Sequence, residues 1–343
     1  MLQEKIRADS RRDILTSLRT VLLAAAACAA MFTVISARGA SPPVENFPAK
    51  PVRIVIGFTP GGVPDITARL IAQKLTESWK QQVVVDNRTG AGGTIAANIV
   101  AKANPDGYTL LSVSSAHAVA PAIYAKLPYD TLKDLAGITL TANGPALLLV
   151  SPTLGVKSTK DLIALAKTKP GQFNFSSAGV GSGTHFAAEL FKSMAGIDVA
   201  HVPFKGIPEA ITETMTGRVQ FFLSPLASAI TLVKEGRALA VGVTSTQRVS
   251  ILPDIPTVAE SGLPGYRWDF WYGMLAPAKT PRAIIVRLNG EITRILNLPD
   301  VRQRWSALGA EAAPSTPEQF NQLIAEEIAT NTKLARAANI KAD

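Results

Sequence analysis

Cysteine is all but missing from this 343-residue chain: Cys28 stands alone, inside an N-terminal apolar stretch that is expected to be removed. No thiol then remains, which excludes disulfides, thiolate metal sites and a cysteine nucleophile. Histidine is nearly as scarce, and none of His117, His185 and His201 has ligand-like spacing to another. No metal and no cofactor are therefore expected, and each histidine reads as a hydrogen-bonded structural group or a ligand-lining one. Enzyme signatures are missing as well. There is no Gly-Lys-Ser/Thr phosphate loop, no Gly-x-Ser-x-Gly elbow, no Ser-x-x-Lys and no His-Glu-x-x-His. Carboxylates are scattered without a local pair. Runs of like charge are absent too, and basic residues are not interleaved with aromatics, so nucleic acid is not an expected partner.

What is present first is an export signal. Lys5, Arg7, Arg11, Arg12 and Arg19 precede an uncharged run from Thr20 to Ala37, and small residues follow around Ala37-Arg38-Gly39-Ala40. That order of basic, apolar and small segments is secretory, so residues 1–40 are read as a cleaved signal and the mature protein as periplasmic. Ser10-Arg11-Arg12-Asp13 fits the twin-arginine pattern, with general secretion as the alternative. The whole chain carries +9; outside residues 1–40 there are 29 Lys/Arg against 23 Asp/Glu, or +6. A mild positive balance favours small anions.

From Pro51 strand and helix patterns alternate. Strands are expected at 52–58, 82–85, 108–113, 146–150, 174–176, 199–202, 220–223 and 239–244. Helices are expected at 66–79, 94–103, 158–167, 184–195, 208–217 and 226–235. Near the C-terminus Pro281 reads as a first helical position ahead of the stripe Ile284, Ile285, Leu288, Ile292 and Ile295. Thr316-Pro317-Glu318-Gln319 reads as a capping box. The class is α/β with largely parallel sheets.

Such sheets place ligands at the carboxyl ends of their strands, so three loops matter. Phe58-Thr59-Pro60-Gly61-Gly62-Val63-Pro64-Asp65 joins a strand to a helix, and its glycines let backbone N–H groups approach an anion. Asp65 either touches the ligand or caps the helix, the cap being the simpler reading. Ser114-Ser115-Ala116-His117 offers small hydroxyls at a strand end. Gly179-Val180-Gly181-Ser182-Gly183-Thr184-His185 opens a helix and forms an anion cradle from backbone and hydroxyls; Thr184 breaks its likeness to a dinucleotide fingerprint.

Taken in order, Gly61-Gly62-x-x-Asp65, Asn87–Gly93, Pro105-Asp106-Gly107-Tyr108, Leu127-Pro128-Tyr129-Asp130, Ala178–His185, His201-Val202-Pro203-Phe204-Lys205-Gly206, Pro256-Thr257-Val258-Ala259-Glu260 and Trp271–Pro277 resemble the Bug family. Its members are periplasmic solute-binding receptors of tripartite tricarboxylate transporters. The resemblance runs from about residue 47 to the end. It implies a type II periplasmic-binding-protein fold with a ligand cleft between two lobes, residues 47–145 plus 272–343 and residues 146–271. It also implies a monomer that presents a small carboxylate to integral-membrane transporter subunits. In the cleft it places Phe58, Thr59, Gly61, Gly62, Pro64, Asp65, Ser114, Ser115, His117, Gly179, Gly181, Ser182, Thr184 and His185, with Phe204, Lys205 and Ser224 on the wall of the second lobe. Two departures bear on the ligand. Leu223-Ser224-Pro225-Leu226 stands where members often carry an acid or amide, and Thr89 stands where proline is common. A wall without such a group suits a carboxylate lacking an α-amine, dicarboxylic or aromatic. Two rival readings are a ligand sensor for a membrane signalling partner and an enzyme on the same scaffold.

Overall fold

A computed structural model describes residues 46–337 and 340–342; the export signal and Cys28 lie outside them. The first strand, β1 (Val52–Ile56), is β-branched except for the half-buried Arg53 and is otherwise buried on both faces, as a central strand of a parallel sheet requires. It stops at Ile56, two residues short of the expected end. The cause is Gly57, where an added Cβ would come within 2.5 Å of Gly93 Cα, so the backbones of the two loops pack directly on each other.

β1 lies between β2 (Val83–Asn87) and β3 (Thr109–Ser114), parallel to both. Helices α1 (Val63–Trp79), α2 (Thr94–Ala101) and α3 (Ala116–Ile123) follow these strands. α3 has no counterpart in the sequence reading, because Ser115 alone separates it from β3 and Pro121 interrupts its pattern.

Next comes β4 (Leu135–Val150), a 16-residue strand. Its first part pairs antiparallel with a later strand, β9 (Asp269–Pro277), up to Pro145; from Ala146 it pairs with β7 (Phe221–Pro225) and β8 (Leu239–Val243). The second set of parallel strands is β6-β5-β7, with β5 at Phe173–Ser177 and β6 at Val199–Pro203. The whole hydrogen-bonded order is β2-β1-β3-β9-β4-β7-β5-β6, with β8 and a two-residue β10 (Glu311–Ala312) also on β4. The helices here are α4 (Thr159–Thr168), α5 (Gly183–Ala195), α6 (Ile207–Met215) and α7 (Leu226–Lys234).

Three C-terminal helices, α8 (Arg282–Leu296), α9 (Pro299–Ala307) and α10 (Pro317–Ala337), return to the first set of strands. The predicted stripe of α8 is buried throughout, each such side chain stabilising by about 1.5–3 kcal/mol. Pro281 is a correction: it is the N-cap rather than the first helical residue, with extended backbone, and its carbonyl accepts from Ile284 and Ile285. The capping box is formed as expected, with Gln319 N–H donating to Thr316 Oγ1 at 3.2 Å and Thr316 N–H to Gln319 Oε1 at 3.0 Å.

Two cores result. One joins Val55, Leu111, Trp271, Leu275 and Phe320, and the other joins Leu147, Leu149, Ile211, Phe222 and Val243. A third cluster bridges them, setting Phe186 of α5 against Val119 and Ile123 of α3 and Ala335 of α10.

Candidate functional site

The carboxyl ends of β1 and β3 face those of β5, β6 and β7, and the helices that follow β1, β5, β6 and β7 begin at one place. Pro64 of α1, Gly183 and Thr184 of α5, Ile207 of α6 and Pro225, the N-cap of α7, all line one cavity, together with Phe58, Ser114, Ser182, Phe270 and Tyr272. Helix N-termini present unpaired N–H groups and the positive end of the macrodipole. Of these helices α5 and α7 have no acid in their first turns to offset it, whereas α1 and α6 carry Asp65 and Glu209 there. No Lys, Arg, Asp or Glu lines the cavity. An anion here would be held by dipoles and hydroxyls.

The third loop is built for that. Ser182 caps α5 by accepting from His185 N–H at 3.2 Å, and Thr184 Oγ1 accepts from Ala178 N–H at 2.9 Å. The two hydroxyls lie 2.8 Å apart. One of them donates to the other, which leaves a single hydroxyl proton of the pair free for a ligand. Tyr272 adds another donor: its OH is buried without a hydrogen-bond partner among the described residues, as are Thr59 Oγ1, Ser115 Oγ and His117 Nε2. A buried polar group left unpaired costs about 1–3 kcal/mol, which a ligand or water recovers.

The cavity measures about 20 Å³, room for about one water. The loops of the two sets of strands are in direct contact around it. A Cβ on Gly206 would overlap Thr59 Oγ1, one on Gly183 would come within 2.5 Å of Ser115 Oγ, and one on Gly92 within 2.8 Å of the Val180 carbonyl. A larger open groove, about 520 Å³, is lined by Pro121, Tyr124, Leu127, Tyr129, Leu132 and Ile328, but no helix N-terminus faces it.

Of the residues singled out by sequence, Phe58, Pro64, Ser114, Ser182 and Thr184 line the cavity. Thr59 packs on Gly206 and Ser115 on Gly183 beside it. Asp65 acts locally: its carboxylate accepts from Gly61 N–H at 3.1 Å, from Arg69 at 2.9 Å and from Asn87 at 3.0 Å. Burial pushes its carboxyl up, but the hydrogen bonds from Arg69, Gly61 and Asn87 outweigh that and hold it below the usual carboxylate range. Asp65 thus fixes the first loop, with Gly61 and Gly62 in it. Ser224 is fully buried beside β4 and bonds to the Pro225 carbonyl. Lys205 is exposed, and Phe204 is half-buried with its N–H on the Ser177 carbonyl.

His185 lies behind the third loop. Its Nδ1 accepts from Gly181 N–H at 3.3 Å, and its ring stacks on His201, whose Nε2 is 2.6 Å from Ser177 Oγ. Ser177 Oγ in turn accepts from Gly179 N–H at 3.1 Å. The imidazole pair therefore ties down the loop at Ser177, Gly179 and Gly181. Burial holds both rings neutral, His185 to about pH 4 and His201 to about pH 3, with Lys192 contributing to both and His185 to His201.

Phe270, Tyr272 and Ile207 were not anticipated at the site. The alternation Trp268, Phe270, Tyr272 was the available signal, since every second residue of a strand faces one side.

The sequence matches the family described as "Tripartite tricarboxylate transporter family receptor" over residues 67–340. The chain belongs to that family. It is 35% identical to the protein BugT of Bordetella pertussis, over 86% of this chain and 91% of that one. Among solved structures it is similar to Rpa4515 of R. palustris with adipate (34% identity, TM-score 0.83, covering 86% of this chain and 99% of that one). It is also similar to MatC of Rhodopseudomonas palustris with bound malate (33% identity, TM-score 0.80, 84% and 99%). The fold is accordingly that of two-lobed periplasmic binding proteins, and the protein is a solute-binding receptor rather than an enzyme. No helix among the described residues is long and apolar enough to cross a membrane.

Proposed function

We propose that the receptor captures a small carboxylate without an α-amine between its lobes and presents the closed form to integral-membrane transporter subunits. The observation that carries this is the convergence of helix N-termini, the Ser182 and Thr184 hydroxyls and the unpartnered Tyr272 hydroxyl on a cavity with no charged side chain. An ammonium group would find no carboxylate there: Asp65, near the cavity, has its oxygens committed to Gly61, Arg69 and Asn87. The relatives' ligands, adipate and malate, are consistent with this class.

The proposed lobes are 47–145 plus 272–343, and 146–271, a division supported by β4, which exchanges partners between Pro145 and Ala146. A cavity with room for about one water admits a carboxylate only when the lobes part. A ligand that touches both lobes then favours closure by its contacts in that state alone. Export to the periplasm as a monomer and docking on a transporter belong to the same reading.

The test is thermal unfolding against small carboxylates, their amides and matched amino acids. A ligand at about a hundred times its Kd adds about 2.7 kcal/mol, a clear rise in Tm. A rise with carboxylates and not with amides is expected; equal rises for aspartate and succinate would remove the amine discrimination.

A further inference from the structure

Four lysines, Lys157, Lys160, Lys167 and Lys169, lie on and beside α4, and all are exposed. Between Asp134 and Glu189 they and Asp161 are the only Asp, Glu, Lys or Arg. Residues 157–169 thus carry four positive charges against one negative, half of the +6 held outside residues 1–40. Leu162 and Ala166 bury one side of α4. Lys160, Ala164 and Lys167 follow at i, i+4 and i+7 on the other, with Lys157 before the helix and Lys169 after it. None of the four ammonium groups has an ion pair or a hydrogen bond among the described residues. Asp161 engages its carboxylate in the first turn, accepting from Lys157 N–H at 3.1 Å. Two acids approach from neighbouring segments. Glu260, next to the Ser261 carbonyl that accepts from Lys160 N–H, is held by Arg248 and by Thr257 N–H. Asp198, whose carbonyl accepts from Gly171 N–H, is exposed and leaves the row net positive. The helix itself does not call for this arrangement. Lys167 and Lys169 suit the negative end of its dipole, but Lys157 and Lys160 stand at the positive end, where a cation is disfavoured.

We propose that this lysine row is a docking face for an anionic phospholipid surface, and that it holds the exported receptor beside the membrane of its transporter. The membrane's identity rests on the receptor reading above; the binding itself uses none of the cleft. Lys167 and Lys169 precede β5 at its Phe173 end, opposite the Ser177 end that meets the third loop. Three features select lipid. The row lines neither the cleft cavity nor the open groove, so its partner is a surface rather than a small anion. Lysines are point charges on flexible stems, which match mobile phosphates in no fixed geometry, where arginine would pair with carboxylates through a rigid fork. The exposed neutral residues among them, Ala164 and Thr168, offer none of the aromatic or arginine anchors of protein interfaces, in which lysine is depleted. Basic residues near an anionic bilayer each add to the attraction, and the sum is screened by salt.

The experiment is co-sedimentation of the signal-free receptor with vesicles of phosphatidylglycerol and phosphatidylcholine in equal parts, and with phosphatidylcholine alone, at about 20 and about 150 mM salt. Binding to the anionic vesicles alone, weaker at the higher salt, is expected. Each lysine contributes about fivefold, so changing all four to glutamine should weaken binding about a hundredfold or more. A control changes Lys102, Lys126, Lys279 and Lys333, four exposed lysines that also lack ion pairs among the described residues, and lowers the net charge equally. It should bind within about tenfold of wild type. No binding to anionic vesicles at the lower salt, as for a row that serves an acidic protein instead, would overturn the proposal, and so would an equal loss in the two variants. If the fourfold change fails to fold, Lys157→Gln with Lys160→Gln alone should keep or raise Tm and still weaken binding about tenfold or more. The rise in Tm with carboxylate, measured without vesicles, should be the same in every variant. Its absence from the wild type would remove the receptor reading and leave the vesicle result standing.

Discussion

The imidazoles of His185 and His201 stack with centroids 3.9 Å apart and planes 12° from parallel. Two imidazolium rings cannot sit at that distance in a buried site, so the contact exists only while at least one ring is neutral. The pair belongs to different elements, α5 and β6, and Phe175 of β5 stacks on both. Its structural effect falls on the third loop, through Gly181 and Ser177.

Acid should therefore destabilise the receptor. The folded-state pKa values of His117, His185 and His201 lie below the ordinary 6.5, at about 4, 4 and 3. Below about pH 6.5 the unfolded chain binds protons that the folded one refuses. Stability is thus full above that pH and is lost as pH falls toward 4, by at most about 1.4 kcal/mol per pH unit for each histidine. Glu189, its carboxyl raised by burial and partly lowered again by Lys192, works in the opposite sense. Tm measured from pH 7 to pH 4.5 should fall, and the slope should be shallower in His201→Gln. A flat profile would mean that these rings titrate normally.

Gly206→Ala separates folding from closure. Gly206 has extended backbone, which alanine adopts freely. Its new methyl would overlap Thr59 Oγ1 across the cleft. Unliganded Tm should change by little, within about 0.5 kcal/mol, while carboxylate affinity drops. Small-angle scattering with saturating ligand should no longer show compaction. Unchanged affinity would mean that closure does not bring these two residues together.

Replacement of Gly181 by leucine should abolish binding. The residue has φ +76°, and even a Cβ would come within 2.5 Å of Ile123 Cδ1 of α3. Backbone strain of about 1–3 kcal/mol adds to the clash. Titration calorimetry checks it; wild-type affinity would place the anion cradle elsewhere.

Asp65→Ala should loosen the first loop. The change strips partners from Gly61 N–H, Arg69 and Asn87, at about 1–3 kcal/mol. Chemical denaturation should report that loss together with weaker ligand binding. Asp65→Asn, which keeps an acceptor, should recover part of both.

Local signals were legible. Ser158 caps α4, accepting from Asp161 N–H at 3.1 Å, and the Thr316–Gln319 box opens α10, each written in four consecutive residues. The β1–α1 and β5–α5 loops were readable because a run of β-branched or aromatic residues gives way to glycine. The first part of β4 was not. It is rich in Gly, Ala and Thr, its register shifts between Gly137 and Thr139 and again between Leu140 and Ala142, and no alternation survives. Nor was the His185–His201 contact, which depends on two elements that tertiary packing alone brings together. The aromatic face of β9 was visible as a motif, but not which cavity it would close.

The position of β9 also sets an order of assembly. β3 and β4 do not pair with each other; both pair with β9, which is made more than a hundred residues after either begins. The strands β5, β6, β7 and β8, with the second part of β4, form a contiguous stretch of chain and can complete their pairings as soon as Val243 has emerged. The N-terminal strands, though synthesised first, wait with an open edge at β3 until Asp269–Pro277 arrives to fill it. The half of the molecule that the ribosome makes first is the half that finishes last, and during that interval the exposed edge of β3 is a surface for chaperones to guard.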